Sequence, residues 1–147
     1  MSGRDLGFAG PWMRKAANDL YTARCVLADP AGPTDTPCFH AQQAVEKALK
    51  AVLTASGERF GRTHNLMPLL EQAARRLPDL GQHRAACAQL TAYAVAARYP
   101  EHIDDPSRQD AEEALEWATA ICTEVVRFLA EAASAGTEPA EQTDPEE

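Results

Sequence analysis

The chain has 147 residues, of which 45% are hydrophobic and 24% are charged, and its formal net charge at pH 7 is −8. This length fits one domain with a sizeable hydrophobic core. No apolar run approaches the roughly 18 residues that a membrane-spanning helix needs. We therefore expect no membrane partner, and because the first residues lead into no apolar signal core, we expect a cytoplasmic protein.

The charge is unevenly distributed along the chain. Residues 47–98 hold eight basic and three acidic residues, whereas residues 99–147 hold two basic and fourteen acidic residues. The overall acidity argues against a general nucleic-acid coat protein, but the middle third can still present a local basic surface.

The four cysteines are widely spaced, and no Cys-x-x-Cys pair occurs. Each lies among alanines and aliphatic residues, which predicts small hydrophobic side chains packed in a core. A zinc site needs ligands at short spacing, and the sequence contains neither a glycine-rich phosphate loop nor a His-Glu-x-x-His motif. We therefore expect no metal and no cofactor. The cysteines are Cys25, Cys38, Cys87 and Cys122.

Apolar residues at intervals of three and four predict a first helix over residues 12–28. Proline and glycine in residues 29–33 then break the chain. Thr36, followed by Pro37, predicts the N-cap of a second helix that runs over residues 38–56 and ends at Gly57, a typical C′ residue. Beside its apolar face this helix carries a polar stripe. The stripe comprises His40, Gln43, Lys47, Lys50 and Thr54.

The second half of the chain predicts three further helices. Asn65 is the expected N-cap of the third, which Pro78 closes. The fourth spans residues 81–98 and ends near Tyr99, since a residue that precedes proline is pushed out of the α region. Asp105 with Pro106 predicts the start of the fifth, whose apolar period fades near residue 133.

No stretch alternates apolar and polar residues as a strand does. The sequence therefore predicts an all-α protein, an up-and-down bundle of four to five helices. We assign residues 1–10 to a flexible N-terminus and residues 11–133 to the bundle. Residues 134–147 hold five acidic residues and no basic one, and we expect them to form an acidic, disordered tail.

The motifs of these helices resemble those of the HEPN domain family, named for higher eukaryote and prokaryote nucleotide binding. Residues 39–51 read Phe-His-Ala-Gln-Gln-Ala-Val-Glu-Lys-Ala-Leu-Lys-Ala, residues 63–66 read Thr-His-Asn-Leu, and Trp12 and Asp19 lie on the first helix. The resemblance implies a helical bundle, a homodimer, and a gene pair with a small nucleotidyltransferase that resembles a toxin–antitoxin system. Many members of the family are metal-independent ribonucleases.

The resemblance also implies where such a ribonuclease would keep its catalytic pair. The family's hallmark is an arginine followed, after four to six residues, by a histidine near the end of the bundle. Histidine would transfer protons and arginine would stabilise the charge on the phosphate. Here Arg98 and His102 occupy this place, but only three residues separate them and one is Pro100. We therefore predict no RNA cleavage above background.

Six residues are candidates for nucleotide binding, because the family resemblance and their basic or polar chemistry both point to them. Each also has an ordinary structural explanation, as a solvated helix lysine, a residue at the edge of the core or a loop cap. The candidates are His40, Gln43, Lys47, Lys50, Arg62 and His64.

Three functions stay open from the sequence. The favoured one is a nucleotide- or RNA-binding HEPN component without strong catalytic activity of its own. The alternatives are a metal-independent ribonuclease toxin and a protein-binding scaffold. The sequence also leaves open whether Trp12 and Tyr99 belong to the core or to a dimer interface.

Overall fold

A computed structural model of the chain describes residues 6–99 and 104–142. These residues form five α-helices with one 3₁₀ turn and no strand, which confirms the predicted all-α bundle. The elements, in chain order, are α1 (Leu6–Leu27), α2 (Asp35–Ala55), α3 (Leu66–Ala74), the 3₁₀ turn (Pro78–His83), α4 (Arg84–Arg98) and α5 (Arg108–Gln142).

The second helix is the centre of the bundle, because α2 packs against each of the other four helices. Its apolar stripe is fully buried, with Val45, Leu49, Val52 and Leu53 among the largest enclosed side chains. Many of the facing positions are alanines, and small side chains let helix axes approach closely. The candidate polar residues lie on the edge of this central helix.

The first helix begins at Leu6, six residues earlier than the sequence predicted. Gly7, Gly10 and Pro11 all disfavour helix, so the local sequence placed the start after them. The structure nevertheless includes Pro11 within α1, and Ala9 is only 1% exposed. Burial against the bundle therefore outweighs the poor local propensity. Residues 1–5 lie outside the described residues, and a flexible N-terminus stays a prediction.

The second helix begins at Asp35, so the predicted cap at Thr36 is wrong by two positions. Thr34 holds the cap position without a side-chain hydrogen bond, and Pro37 lies in the first turn. Moving the cap by two positions costs little free energy, because none of the first four N–H groups of a helix has an acceptor within the helix. The predicted end is confirmed, since Gly57 has a φ of 72° directly after the cap residue Ser56.

Asn65 caps α3 as predicted, accepting a hydrogen bond of 3.0 Å from the N–H of Met67. The predicted end of α3 and the predicted start of α4 are wrong. The third helix stops at Ala74, before Pro78, and the fourth starts at Arg84 and not at residue 81. The chain between them forms the 3₁₀ turn, a common connector between helices. Leu80 is completely buried and holds this turn against the core.

Both predicted ends of the fifth helix are corrected. Ser107, not Asp105, caps α5: its Oγ accepts from the N–H of Asp110 and its N–H donates to Asp110 Oδ2, each at 3.0 Å. The helix continues to Gln142, because the alanines around residue 133 are the best helix formers. Residues 134–142, the first part of the predicted acidic tail, are therefore helical, whereas residues 143–147 lie outside the described residues and their disorder stays a prediction. No helix in the described ranges has the length and apolar character needed to cross a bilayer.

Candidate functional site

The first part of the polar stripe is held by a buried carboxylate of α1. Asp19, whose side chain is only 10% exposed, contacts His40 Nδ1 through Oδ1 at 2.8 Å and Lys47 Nζ through Oδ2 at 2.6 Å. Lys47 follows His40 by seven positions, which places the two side chains two turns apart on one face of α2. Two of the predicted nucleotide ligands are therefore partners of the same internal acid.

The second part of the stripe is held by Glu46, an acid on α2 itself. Its Oε2 accepts from Lys50 Nζ at 2.9 Å, a pair at the spacing of four residues that places both side chains on one face of the helix. Its Oε1 lies 3.2 Å from His64 Nδ1 and accepts from Gln42 Nε2 at 3.2 Å. Gln43 Nε2 in turn donates to Gln42 Oε1 at 2.7 Å.

This network lowers the pKa of Glu46 below its ordinary value. Burial by itself raises the pKa of this carboxyl, but the hydrogen bonds from Lys50, His64 and Gln42 and the charge of Lys50 together outweigh burial. Glu46 is therefore the ionised acceptor at the centre of the group, and it neutralises Lys50 at neutral pH.

Lys50 is further enclosed by two aromatic side chains. Its Nζ lies 5.4 Å from the ring centre of Trp12 and 5.6 Å from that of Phe60, a cation–π arrangement. The two rings meet edge to face with centres 6.1 Å apart. Trp12 is thus half-buried among residues of its own chain, and its packing ties α1 to the loop after α2.

The structure thereby brings five of the six nucleotide-binding candidates into two groups, one around Asp19 and one around Glu46, and the second group links α2 to the loop over residues 57–65. The sequence missed Gln42 as its central member: this side chain is completely buried and also donates to the backbone oxygen of His64 at 2.9 Å. Its partner Glu46 lies only four residues along α2, but its second partner, the backbone oxygen of His64, lies 22 residues away, so the pattern of α2 by itself does not mark Gln42 as the link to the loop. The sixth candidate, Arg62, lies apart from both groups on the exposed side of the loop.

Arg98 lies at the end of α4, beside a cavity of about 590 Å³. Its Nη1 donates to the backbone oxygen of Ala94 at 3.4 Å, and its guanidinium carbon lies 5.5 Å from the ring centre of Phe39. Tyr99, about half exposed, also lines the cavity, together with four carboxylates. The acids are Asp35, Asp104, Asp105 and Asp110. His102 lies outside the described residues, so its pairing with Arg98 stays a prediction.

Three of the four cysteines lie in the core, as predicted. Burial raises the pKa of Cys38, Cys87 and Cys122 to about 12 each, which makes these thiols poor nucleophiles at neutral pH. The prediction is wrong for Cys25, which is exposed on α1 because its position faces away from the bundle. Among the described residues, no three histidine, cysteine or acidic side chains are grouped as metal ligands.

Comparisons with known proteins extend over nearly all of the bundle. The model of the HEPN domain family matches residues 9–129. A protein of Methanocaldococcus jannaschii, named putative toxin MJ1304, is 28% identical over 145 residues, which cover 88% of this chain and 93% of that protein. The crystal structure of TT1696 from Thermus thermophilus has a TM-score of 0.71 and 30% identity, and covers 81% of this chain and 96% of its own.

Proposed function

Because this chain belongs to the HEPN domain family, we propose that it is the HEPN component of a cytoplasmic, toxin–antitoxin-like pair whose partner is a small nucleotidyltransferase. In this proposal the protein binds nucleotide or RNA and does not cleave RNA by itself. The relative named as a toxin supports the toxin-like role. The nucleotidyltransferase activity belongs to the partner chain.

The observation that carries the absence of cleavage is the charge around Arg98. A ribonuclease stabilises the extra negative charge of the phosphate in the transition state with nearby cations. Here four carboxylates line the same cavity as this single arginine. Their negative potential repels a polyanionic substrate. The single guanidinium must then offset the charge of these carboxylates as well as the charge of the phosphate.

A ribonuclease is the second candidate, and one observation favours it. Arg98 is exposed and forms no ion pair with any carboxylate in the described part of the chain. Its guanidinium is therefore accessible to a phosphate. A protein-binding scaffold is the third candidate, and it predicts a stable complex with the partner but no affinity for RNA.

One experiment separates these candidates. The chain is co-expressed with the small nucleotidyltransferase that we propose as its partner, and the purified chain alone is incubated with RNA at pH 7 in the presence of EDTA. We expect the two proteins to elute together from a size-exclusion column. We also expect the chain alone to leave the RNA as intact as the Arg98→Ala variant does.

Three results would contradict the proposal. Separate elution of the two proteins would contradict the pairing. Metal-independent cleavage that is lost in both Arg98→Ala and His102→Ala would replace the proposal with the ribonuclease candidate. A co-eluting complex without affinity for RNA would favour the scaffold.

We also propose that the chain forms a homodimer through a groove between α1 and α5. Leu20 and Leu27 of α1 and Leu115 of α5 lie along this groove. Exposed Arg24 lines its α1 side and exposed Glu116 its α5 side, and neither is ion-paired within the described ranges. A second copy, turned about a two-fold axis, can match each arginine with the other copy's glutamate.

A further inference from the structure

The loop over residues 57–65 has a backbone that is tied down along its length. Its first residues close α2 in a Schellman arrangement, in which the N–H of Gly57 donates to Thr54 O at 3.1 Å and the N–H of Glu58 to Leu53 O at 2.8 Å. The middle of the loop is held by Gln72 of α3, whose Nε2 donates to the backbone oxygen of Arg59 at 3.0 Å. Its conformation is therefore set before any ligand arrives.

The end of the loop is held as firmly. The backbone oxygen of His64 accepts from buried Gln42, and Asn65 begins α3 as its cap. Phe60 packs edge to face against Trp12 of α1. Because a preorganised site avoids the entropy cost of ordering a loop on binding, side chains that project from this backbone are well placed to bind a ligand.

Three arginines at this loop are exposed and are not neutralised. Arg59 and Arg62 lie on the loop, and Arg75 follows the last residue of α3. Arg75 lies close to the loop, because Gln72 reaches Arg59 from the preceding turn and Arg76 contacts Glu58 at 2.5 Å. Among the described residues, none of the three arginine side chains has a hydrogen bond or an ion pair.

Four of the other five cations of the middle third are already neutralised, and the fifth, Arg98, lines the cavity that also holds four carboxylates. Lys47 and Lys50 contact the buried carboxylates of Asp19 and Glu46. Arg76 contacts Glu58, and Arg84 contacts Glu71 at 3.5 Å. Although the chain carries a net charge of −8, the surface around Arg59, Arg62 and Arg75 therefore keeps a local positive charge. We call these three residues the arginine patch.

The chemistry of the patch favours a polyanion over a protein partner. Protein interfaces are built around buried aromatic or aliphatic anchors, and the large exposed hydrophobic residues of the described chain are on other surfaces. Those residues are Tyr21, Val95, Tyr99 and Val126. Arginine forks bind phosphate oxygens in pairs, and a Cβ at Gly61 would meet nothing within 4 Å, so the middle of the loop is open to close approach.

We infer that the arginine patch is the surface through which this protein binds the phosphodiester backbone of single-stranded RNA. The inference rests on the proposed function and gives its RNA binding a location. It assigns the binding to Arg59, Arg62 and Arg75 and not to the lysines of α2. His64 lies beside the patch with its ring 60% exposed and its Nδ1 held by Glu46, so its Nε2 can reach a base or a ribose.

The test measures the affinity of the full chain for a fluorescein-labelled oligouridine by anisotropy at several salt concentrations. The test variant is Arg59→Ala/Arg62→Ala. The matched control is Arg14→Ala/Lys15→Ala, which removes two exposed cations of α1 that are not ion-paired within the described ranges. Both variants change the net charge of the protein by the same amount.

We expect the patch variant to bind roughly tenfold more weakly at low salt, and its slope of log affinity against log salt to fall by roughly 0.7 for each arginine removed. The control variant should bind as the wild type does. Adding Arg75→Ala to the patch variant should weaken binding further.

Three results would overturn the inference. Equal loss of affinity in the two variants would show general electrostatic attraction without a site. Equal affinity of the wild type for polyglutamate would show an acidic protein as the ligand. If the wild type did not bind RNA at all, the arginine patch would not be an RNA-binding surface. The proposed pairing with the nucleotidyltransferase would still be tested separately, by co-elution of the two proteins.

Discussion

Two buried carboxylates organise the polar side chains of this bundle. Asp19 and Glu46 each accept from a lysine and a histidine, so the positive charges on the edge of α2 are matched one by one. A buried ion pair adds little to stability when compared with apolar packing, but removing one of its members leaves the other charge without compensation. Together the two groups therefore make α1, α2 and the loop depend on each other.

The first prediction of this section concerns Glu46→Gln. The pKa of Glu46 is lowered in the folded chain from its ordinary value of 4.5, so its ionised form stabilises the fold above that pH. The stabilisation is lost as the pH falls through the lower, folded value. We expect the free energy of unfolding to fall by about 2 kcal/mol at pH 7, and this difference from the wild type to be smaller at pH 3 than at pH 7.

Urea unfolding followed by circular dichroism at both pH values measures this difference. Glu58→Gln is the matched control, because it removes the more exposed pair with Arg76 and should cost at most about 1 kcal/mol. If Glu46→Gln lowered the free energy of unfolding by the same amount at pH 7 and at pH 3, the stabilising role assigned to the ionised carboxylate would be wrong.

The ends of the helices depend on single residues that satisfy free backbone groups. Gly57 closes α2 with a positive φ, a conformation that a Cβ disfavours. Ser107 and Asp110 open α5 by exchanging side-chain and backbone hydrogen bonds. These caps fix the direction in which the chain leaves each helix, and Gly57 thereby directs the loop that carries Arg59 and Arg62.

The second prediction concerns Gly57→Ala. An L-residue with a side chain costs about 1 kcal/mol in the left-handed region, and we expect the free energy of unfolding to decrease by that amount. Gly61→Ala serves as the control, since it has open space and no positive φ. It should leave stability unchanged or raise it slightly. Equal destabilisation of the two variants in urea unfolding would contradict the role given to Gly57.

At the scale of the whole molecule, the large exposed apolar residues lie on surfaces other than the arginine patch. Val126 is 53% exposed and lines the groove between α1 and α5, which we propose as the homodimer interface. The arginine patch lies on the loop between α2 and α3. The surface that we propose for a second copy and the surface that we propose for a polyanion are therefore distinct.

The third prediction is that light scattering gives twice the 15.9 kDa mass of one chain at micromolar concentration. Val126→Glu should shift the protein to the monomer, because the interface would bury an uncompensated charge. Val95→Glu places the same charge on α4, at a residue that is 46% exposed, and should leave the dimer intact. A monomeric wild type, or a dimer that tolerates Val126→Glu, would contradict the proposed interface.

Local patterns in the sequence determined the five helices, the all-α class and several of the ends. Apolar periodicity and the caps at Asn65 and Gly57 act within a few residues, so they can be read without the fold. Helical spacing on α2 likewise identified the polar stripe. The starts of α1 and α5 were predicted less well. Burial of Ala9 extends α1 back past Gly10 and Pro11. The hydrogen bonds between Ser107 and Asp110 start α5 after the signal that Asp105 and Pro106 give.

Only the tertiary structure decided which of the candidate cations are accessible to a ligand. His40 and Lys47 meet Asp19 across 21 and 28 residues of sequence, and His64 meets Glu46 across 18. Periodicity on one helix contains no information about the acid that a second helix presents to it. The packing of α1 against α2 therefore neutralised Lys47, whereas Lys50 is paired with Glu46 of its own helix. The anchored loop left Arg59 and Arg62 exposed, because no carboxylate reaches them from the described part of the chain.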